Sequence, residues 1–429
     1  MSRAMKDSGI AWIGEIPEGW TIKRNKALFY EVNDRCENGS DYTLLSVSEY
    51  TGVLPRSQIV GEGEYETHAE SLDGYKICAP GDIVMNIMLA WKRATARTAF
   101  EGIVSPAYSV FRGKGIDTRY YHFLFRTELC ADYFKRFSTG IIDSRLRLYP
   151  NVFLSLTMPV PPIHEQSRIA AYLDRRCAEI DSVIAATQRT IEEYKKLKQS
   201  IITEAVTHGV RGQRKMKDSG VDWIGEIPEE WSVYRIANVY DERNESGSDD
   251  LPILLVSINT GISDHEVSDD EQTRVFVRIE DRTKYKRVYP GDLAYNMMRA
   301  WQGAFGAARV DGMVSPAYVV AKPKGNALIE SRYIEALLRS PSAIDEMHRY
   351  SKGITDFRLR LYWPEFKNIR VCIPTYDEQV EIADYIDQKS SDVDILIETK
   401  QQLLTQLESY KKSVIYEYVT GKREVPECQ

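Results

Sequence analysis

No apolar run in this chain approaches the roughly 20 residues needed to span a bilayer. Charged residues recur at the N-terminus before any apolar stretch forms, so no signal peptide is expected. The six cysteines (Cys36, Cys78, Cys130, Cys177, Cys372, Cys428) are scattered and form no Cys-x-x-Cys pair. They read as reduced thiols of a cytosolic protein, and no metal site is expected from them. The six histidines (His68, His122, His164, His208, His265, His348) include no His-Glu-x-x-His pair. An isolated histidine is ordinarily a surface or satisfied core residue. There is no Gly-x4-Gly-Lys-Ser/Thr phosphate loop, which excludes ATP hydrolysis through that motif. Nor is there an Asn- or Asp-Pro-Pro-aromatic segment, the motif with which amino-methyltransferases hold an exocyclic nitrogen. These absences describe a binder rather than a catalyst.

What the chain has, it has twice. MKDSGIAWIGEIPEGW at Met5–Trp20 returns as MKDSGVDWIGEIPEEW at Met216–Trp231, with three of the sixteen positions changed. PGDIVMNIMLAW (Pro80–Trp91) returns as PGDLAYNMMRAW (Pro290–Trp301), and GIVSPAY (Gly102–Tyr108) as GMVSPAY (Gly312–Tyr318). STGIIDSRLRLY (Ser138–Tyr149) returns as SKGITDFRLRLY (Ser351–Tyr362). The offset stays between 210 and 213, close to half of the 429 residues. A repeat of this length implies two homologous halves about an approximate symmetry axis. Residues 21–79 and 232–289 match poorly, so each half is a fixed frame carrying a variable insert.

The composition, 43% hydrophobic and 28% charged, is that of an ordinary soluble protein, long enough for several domains. A net charge of −7 argues against indiscriminate coating of nucleic acid. The charge is uneven, however. Residues 241–271 hold ten acidic side chains against Arg243, and residues 274–287 then hold six basic ones against Glu280 and Asp281.

Each half divides into a globular part, from about Trp20 to Pro162 and from about Trp231 to Thr375, and a helical part. Short apolar runs predict strands at Thr43–Val47, Asp82–Met88 and Ala107–Phe111, with Ile253–Ile258, Asp292–Met298 and Ala317–Ala321 as counterparts. One helix per half is expected, over Asp117–Phe137 and Glu330–Tyr350. Glu165–Thr207 and Glu378–Thr420 contain neither proline nor glycine. Ile180, Ile184, Thr187, Ile191, Tyr194, Lys198, Ile201 and Ala205 form a heptad seam in the first. In the second the expected seam is Ile382, Ile386, Lys389, Val393, Leu396, Lys400, Leu403, Leu407, Tyr410 and Val414. At roughly 1.5 Å per residue each helix is about 65 Å long. A dyad requires the second to run back antiparallel to the first, giving two heads held apart by a helical rod. Such heads match two inverted half-sites on a duplex.

The chain resembles the specificity subunits of type I restriction–modification systems over essentially its whole length. The resemblance rests on the SGIxWIGEIPEGW-type lead into each globular part and on the exit PPIHEQSRIAAYLDRRCAEIDSVI (Pro161–Ile184). The second exit, PTYDEQVEIADYIDQKSSDVDILI (Pro374–Ile397), keeps the Glu-Gln, Ile-Ala and Tyr-x-Asp elements and departs at Thr375 and Tyr376. EAVTHG (Glu204–Gly209) and EYVTGK (Glu417–Lys422) resemble the family's helix ends. The resemblance implies an α+β chain: two homologous globular target recognition domains separated by a long antiparallel two-helix coiled coil, with internal pseudo-twofold symmetry. The expected division is 1–162 for the first recognition domain, 163–210 for the central helical spacer, 211–375 for the second domain and 376–429 for the distal spacer. It further implies a non-catalytic, cytoplasmic subunit that reads a bipartite double-stranded DNA target. Its expected partners are modification subunits, which methylate adenine, and restriction subunits, which cut. S-adenosylmethionine, ATP and magnesium belong to those partners, with no cofactor and no metal in this chain. The alternative is a DNA-modifying enzyme, a nuclease or methyltransferase with an unfamiliar site.

Basic residues interleaved with polar and aromatic ones are the candidate DNA surface. In half one these are Lys92, Arg93 and Arg97. In half two they are Arg299 and Gln302, with Arg274, Arg278, Lys284 and Lys286 from the basic cluster. Lysine and arginine attract phosphates whatever the sequence, whereas bidentate arginine or glutamine can specify a base edge. RLRLY is shared, and if extended it places Arg145 and Arg147, or Arg358 and Arg360, on one face. Phosphate binding and structural ion pairing are both open readings of it. Asn86, Trp91, Asn296 and Trp301 read as frame. Heads that read different bases must differ in their readers, so Lys92, Arg93 and Arg97 against Gln302, Gly303 and Gly306 are the specificity candidates. The acidic run on Asp377–Glu398 suits either a protein partner or a solubilising face.

Overall fold

The computed structural model describes residues 3–59, 71–258, 260–266, 281–325, 327–354 and 358–426. It divides into two units, residues 1–188 with 402–429 and residues 189–401. Arg274 and Arg278 lie outside the described residues. Among those described, no helix is long and apolar enough to cross a membrane.

The two units repeat one α+β plan. A four-stranded antiparallel sheet in the first runs in the order Phe29–Val32, Tyr108–Gly113, Ile83–Asn86, Thr95–Arg97. The second repeats that order with Tyr240–Arg243, Tyr318–Pro323, Leu293–Asn296 and Phe305–Ala307. The inner strand Ile83–Asn86 is buried on both faces. Ile83, Met85 and Phe111 face the helices, while Val84, Val110 and Ala96 face the hairpin of Leu45–Ser48 and Gly52–Pro55. The Pro-Gly-Asp turn before this strand owes its fixity to the aspartate. Buried Asp82 accepts from the Ala79 amide at 3.0 Å and from Arg112 at 2.8 Å. Asp292 accepts from the Tyr289 amide at 2.9 Å and pairs with Arg243.

The expected strands form within about two residues of their bounds, except that Ile253–Ile258 shrinks to Val256–Ser257 with an isolated bridge at Ile253. The single helix expected over Asp117–Phe137 is two, Thr118–Phe125 and Glu128–Phe137. That over Glu330–Tyr350 is likewise Ser331–Leu338 and Pro341–Tyr350. Each second helix starts at its own cap. The Thr127 hydroxyl accepts from the Cys130 amide at 3.2 Å, and the Ser340 hydroxyl from Ala343 at 3.4 Å, just before a proline.

The long helices run Ile163–His208 and Tyr376–Val419. Within the first unit Tyr418 donates to the Tyr172 hydroxyl at 3.2 Å, and Lys411 pairs with Asp181 at 2.6 Å. Within the second unit Lys198 pairs with Asp394 at 2.7 Å, and Arg211, just past the first helix, with Glu381 at 2.7 Å. In both units the partner number falls as the first helix advances, so the segments are antiparallel. The first seam is buried or half-buried at each expected position. The second departs from expectation: Lys389, Leu396 and Tyr410 are exposed, and Ser390 and Ile397 replace the first two. Two successive four-residue steps, Ile382 to Ile386 to Ser390, shift the phase by one residue. An eleven-residue spacing absorbs the drift of a 3.6-residue helix from a heptad.

The Glu-Gln pair of each exit motif locks helix to head. Buried Gln166 donates to the Pro161 carbonyl at 2.8 Å and accepts from the Asp117 amide at 3.0 Å. Gln379 does the same with Pro374 and Glu330, at 3.1 and 2.9 Å. Glu165 accepts from the indole of buried Trp20 at 2.9 Å, a bond the second unit does not repeat. What recurs is an arginine ahead of each globular part, Arg3 over Trp20 and Arg214 over Trp231, pairing with Glu165 and Glu378 of the exit motifs. Much of the acidic run is neutralised inside the second unit. Glu378 pairs with Arg214, Glu381 with Arg211, Asp384 and Asp387 with Arg332, and Asp394 with Lys198.

One frame position differs in chemistry between the twins. His122 Nδ1 accepts from the Arg97 amide at 3.2 Å, and Glu335 accepts from the Ala307 amide at 3.1 Å, each closing the edge strand onto its helix. Burial, reinforced by Arg126 and Arg97, pushes the His122 imidazole from 6.5 down to about 3. Burial raises the Glu335 carboxyl above its ordinary 4.5. Below pH 6.5 the unfolded chain therefore takes up a proton that folded His122 refuses, and stability is lost toward pH 3. Glu335 acts oppositely, because the folded state takes up its proton first as pH falls. His122→Asn keeps an acceptor in place of Nδ1. In denaturant titrations it should lose less stability than wild type between about pH 7 and pH 5. Equal losses would show that His122 is not the titrating group.

Candidate nucleic-acid interface

Past strand Ile83–Asn86 the chain makes a tight turn, Ala90–Lys92, and the Asn86 carboxamide accepts from the Met88 amide at 3.1 Å. The Trp91 indole donates to the Met88 carbonyl at 3.0 Å. Asn296 and Trp301 repeat both bonds, at 2.9 and 3.0 Å. All four are frame: they shape the loop that presents the divergent residues.

The structure joins two motifs that lie far apart in sequence. The Leu148 amide donates to the Ile87 carbonyl at 2.8 Å, and Leu361 to Met297 at 2.9 Å. RLRLY is thereby stitched beside the turn that carries Lys92 or Gln302. Lys135, from the preceding helix, sits 4.8 Å above the Trp91 ring and pairs with Asp143 at 2.8 Å. In the second unit His348 meets Trp301 edge-on at 5.4 Å. Each head thus carries one loop cluster.

RLRLY is not an extended strand, the condition under which its arginines would share one face. Arg145 closes a short turn, Asp143–Arg145, and only Arg147 pairs, as an isolated bridge to Thr139. Pinning by Thr139 and Ile87 leaves too little length for a ladder. The alternation survives all the same. Arg145 and Arg147 are exposed while Leu146 and Leu148 are buried, and Arg358 is exposed beside buried Leu359 and Leu361 with Arg360 half-buried.

Lys92 is exposed, with its ammonium 5.2 Å from the Trp91 ring, and Gln302 is exposed in the matching place. Arg299 is half-buried at the start of its turn. Arg97 is half-buried at the end of strand Thr95–Arg97, and the strand register makes Ala307 its twin rather than the Gly306 set against it from the sequence. Lys284 and Lys286 lie on other elements: Lys284 ends the turn Arg282–Lys284 and pairs with Asp281 at 3.8 Å, and strand Lys286–Val288 pairs with Gly312–Val314. Among the described residues these contacts do not draw them into the Trp301 cluster.

Arg93 stands apart. Its φ of 69° makes it the only non-glycine residue with positive φ among those described, and Gly303 holds the same place in the other unit at 90°. A side chain in that region strains the backbone. Arg126, which sequence reasoning passed over, holds it there. Its guanidinium donates to the carbonyls of Arg93 at 3.0 Å, Ser48 at 3.2 Å, Glu49 at 3.1 Å and Tyr50 at 2.7 Å. Burial without an acidic partner, and then the nearby Arg93, push it down to about 10. Arg339 makes the equivalent clamp, donating to Ile258 at 2.9 Å and Phe305 at 3.2 Å. The signal was present in the sequence: both arginines end the same repeated helix. No group of three or more His, Cys, Asp or Glu among the described residues is placed to hold a metal ion.

No family model matches the chain. Among curated proteins it is 24% identical over 366 residues to the type I restriction enzyme MjaVIII specificity subunit of Methanocaldococcus jannaschii, covering 80% of each chain. A solved structure concerned with complex assembly and conformational transition of the type I R-M system covers 95% of this chain and 99% of its own, with a TM-score of 0.67 at 14% identity. The HsdS subunit of Thermoanaerobacter tengcongensis covers 95% and 98%, with a TM-score of 0.51 at 15% identity. The chain resembles type I specificity subunits in sequence and shares their fold. Within the loop cluster the two halves share Asn86, Trp91 and RLRLY and differ at Lys92 and Arg93 against Gln302 and Gly303.

Arg93→Gly should separate frame from reader. It relieves roughly 1–2 kcal/mol of backbone strain, offset by up to about 1 kcal/mol for the looser unfolded chain. Stability should hold or rise slightly while duplex binding weakens. Unweakened binding would exclude Arg93 from the interface.

Proposed function

We infer that this chain is the specificity subunit of a type I restriction–modification complex. It recognises a bipartite DNA target and directs adenine methylation and restriction by partner subunits. The observation that carries this reading is the twinned loop cluster, in which one frame presents Lys92 and Arg93 in one half and Gln302 and Gly303 in the other. Residues 1–162 and 211–375 act as the two recognition domains, and 163–210 with 376–429 as the helical spacers. Lys92, Arg93, Arg97, Arg299 and Gln302 are assigned to base and phosphate contact. Arg145, Arg147, Arg358 and Arg360, shared by both heads, suit phosphates, which carry no sequence. Lys284 and Lys286, with Arg274 and Arg278 near them in sequence, are assigned to DNA contact in the second head. The chain itself is non-catalytic and cytoplasmic. S-adenosylmethionine, ATP and magnesium act on the modification and restriction subunits.

Methylome sequencing of a host expressing the complex should show modified adenines in two half-sites at a fixed spacing. Replacing residues 21–150 with those of a relative should change one half-site and leave the other intact. Change in both would overturn the modular reading, and methyl transfer by the purified chain alone would make it the enzyme instead. The spacers act as a ruler. One heptad inserted in both helices adds about 10 Å, roughly three base pairs. The preferred gap should lengthen accordingly, and an unchanged gap would remove the ruler.

A further inference from the structure

Ile141 is 99% exposed and Ile354 is 97% exposed, above every other large hydrophobic side chain described. They occupy the same place in the repeat, third after Ser138 and Ser351. A lone exposed apolar residue is ordinary. Two at equivalent positions of a duplicated loop are not.

The loops that carry them are pinned at the neck. Thr139 and Arg147 exchange both backbone hydrogen bonds at 3.0 Å, and Lys352 and Arg360 exchange theirs at 2.8 and 2.9 Å. Gly140 lets the chain pass close: a Cβ there would lie 2.6 Å from the Arg145 carbonyl oxygen, and one on Gly353 would lie 2.7 Å from that of Arg358. Leu146, Leu148, Leu359 and Leu361 anchor the return arm in the core. Ile141 is thus held out on a pre-formed loop, so little ordering cost remains at binding, and Ile354 leaves a neck pinned in the same way.

Its surroundings select the occupant. Arg145 and Arg147 are exposed on the return arm, as is Arg358 in the second unit. An apolar tip among cations suits a polyanion with an apolar interior, which is stacked duplex DNA. We propose that Ile141 and Ile354 are wedges, each pressing into one base step of its half-site and partly unstacking it. Side chains of this type inserted between base steps kink the duplex. Isoleucine makes no hydrogen bond and reads no base edge. Both heads can therefore share it while Lys92 and Arg93 give way to Gln302 and Gly303. It contributes through deformability of the step it enters.

The inference rests on the DNA-reading function proposed above, and one experiment separates the two. The full chain, in complex with its modification subunits, is titrated with duplexes carrying both mapped half-sites and 2-aminopurine at successive steps. Wild type should brighten the probe at one step per half-site. Ile141→Ala should abolish the signal in the first half-site only and Ile354→Ala in the second only, each with roughly tenfold weaker binding. Thermal unfolding should not change, since the side chains touch almost nothing. Wild type that fails to bind the duplex would overturn the DNA-reading function and the wedge with it. Wild type that binds, with variants that brighten every step as before, would overturn the wedge alone. So would variants that bind DNA normally but lose the modification subunits, since the isoleucines would then be protein contacts.

Discussion

Each globular unit is completed by the end of a helix that began elsewhere in the sequence. In the first unit Val414, Tyr418 and Val419 join the core of Trp20, Phe29 and Phe111, and the buried Tyr120 hydroxyl donates to the Val419 carbonyl at 2.7 Å. In the second, Ala205 and Val206 join Trp231, Tyr240 and Tyr295, and Tyr333 donates to the Val206 carbonyl at 3.2 Å. A tyrosine hydroxyl at a helix C-terminus satisfies a carbonyl that has no partner in its own helix. Neither head can bury its core without that helix end. The helices are therefore parts of the heads, and the loop clusters inherit their position from helix ends.

This dependence explains what the sequence could show. The repeat, the long helices and the two-head division were legible, because each rests on long motifs or sustained periodicity. The break within each shorter helix was marked less clearly: Ser340-Pro341 announces it in one half, whereas Thr127 in the other is an ordinary residue until its hydroxyl is seen capping Cys130. The second seam was misplaced at Lys389 and Leu396 because apolar side chains at Ile395, Leu396 and Ile397 leave the phase ambiguous. Only packing decides that Ile397 faces inward.

The loop cluster was legible in pieces and not as a whole. WKR and RLRLY are about fifty residues apart, and nothing local reveals that Leu148 bonds to Ile87. Arg126 was invisible for a different reason. Its partners are main-chain carbonyls, which carry no sequence signature, so a half-buried arginine looked like one more surface cation. The twin resolved the ambiguity. A position that is arginine in both halves, with a carbonyl clamp in both, is frame, whereas Arg93 stands at positive φ where its twin is glycine, so the two halves differ in side chain at one shared backbone shape.

The acidic balance of the chain then follows from the same division of labour. The carboxylates at Glu378, Glu381, Asp384, Asp387 and Asp394 are taken up in ion pairs that fasten the helices. The exposed cations Lys92, Arg145 and Arg147 lie on one short stretch of loops. A chain whose carboxylates outnumber its cations gains less from counterion release, the term that drives sequence-independent DNA binding. Such a protein must draw its affinity from contacts that a wrong sequence cannot supply: hydrogen bonds to base edges, and steps that deform cheaply. A net charge of −7 is thus compatible with DNA recognition and sharpens it, because weak non-specific attraction widens the gap between right and wrong sites.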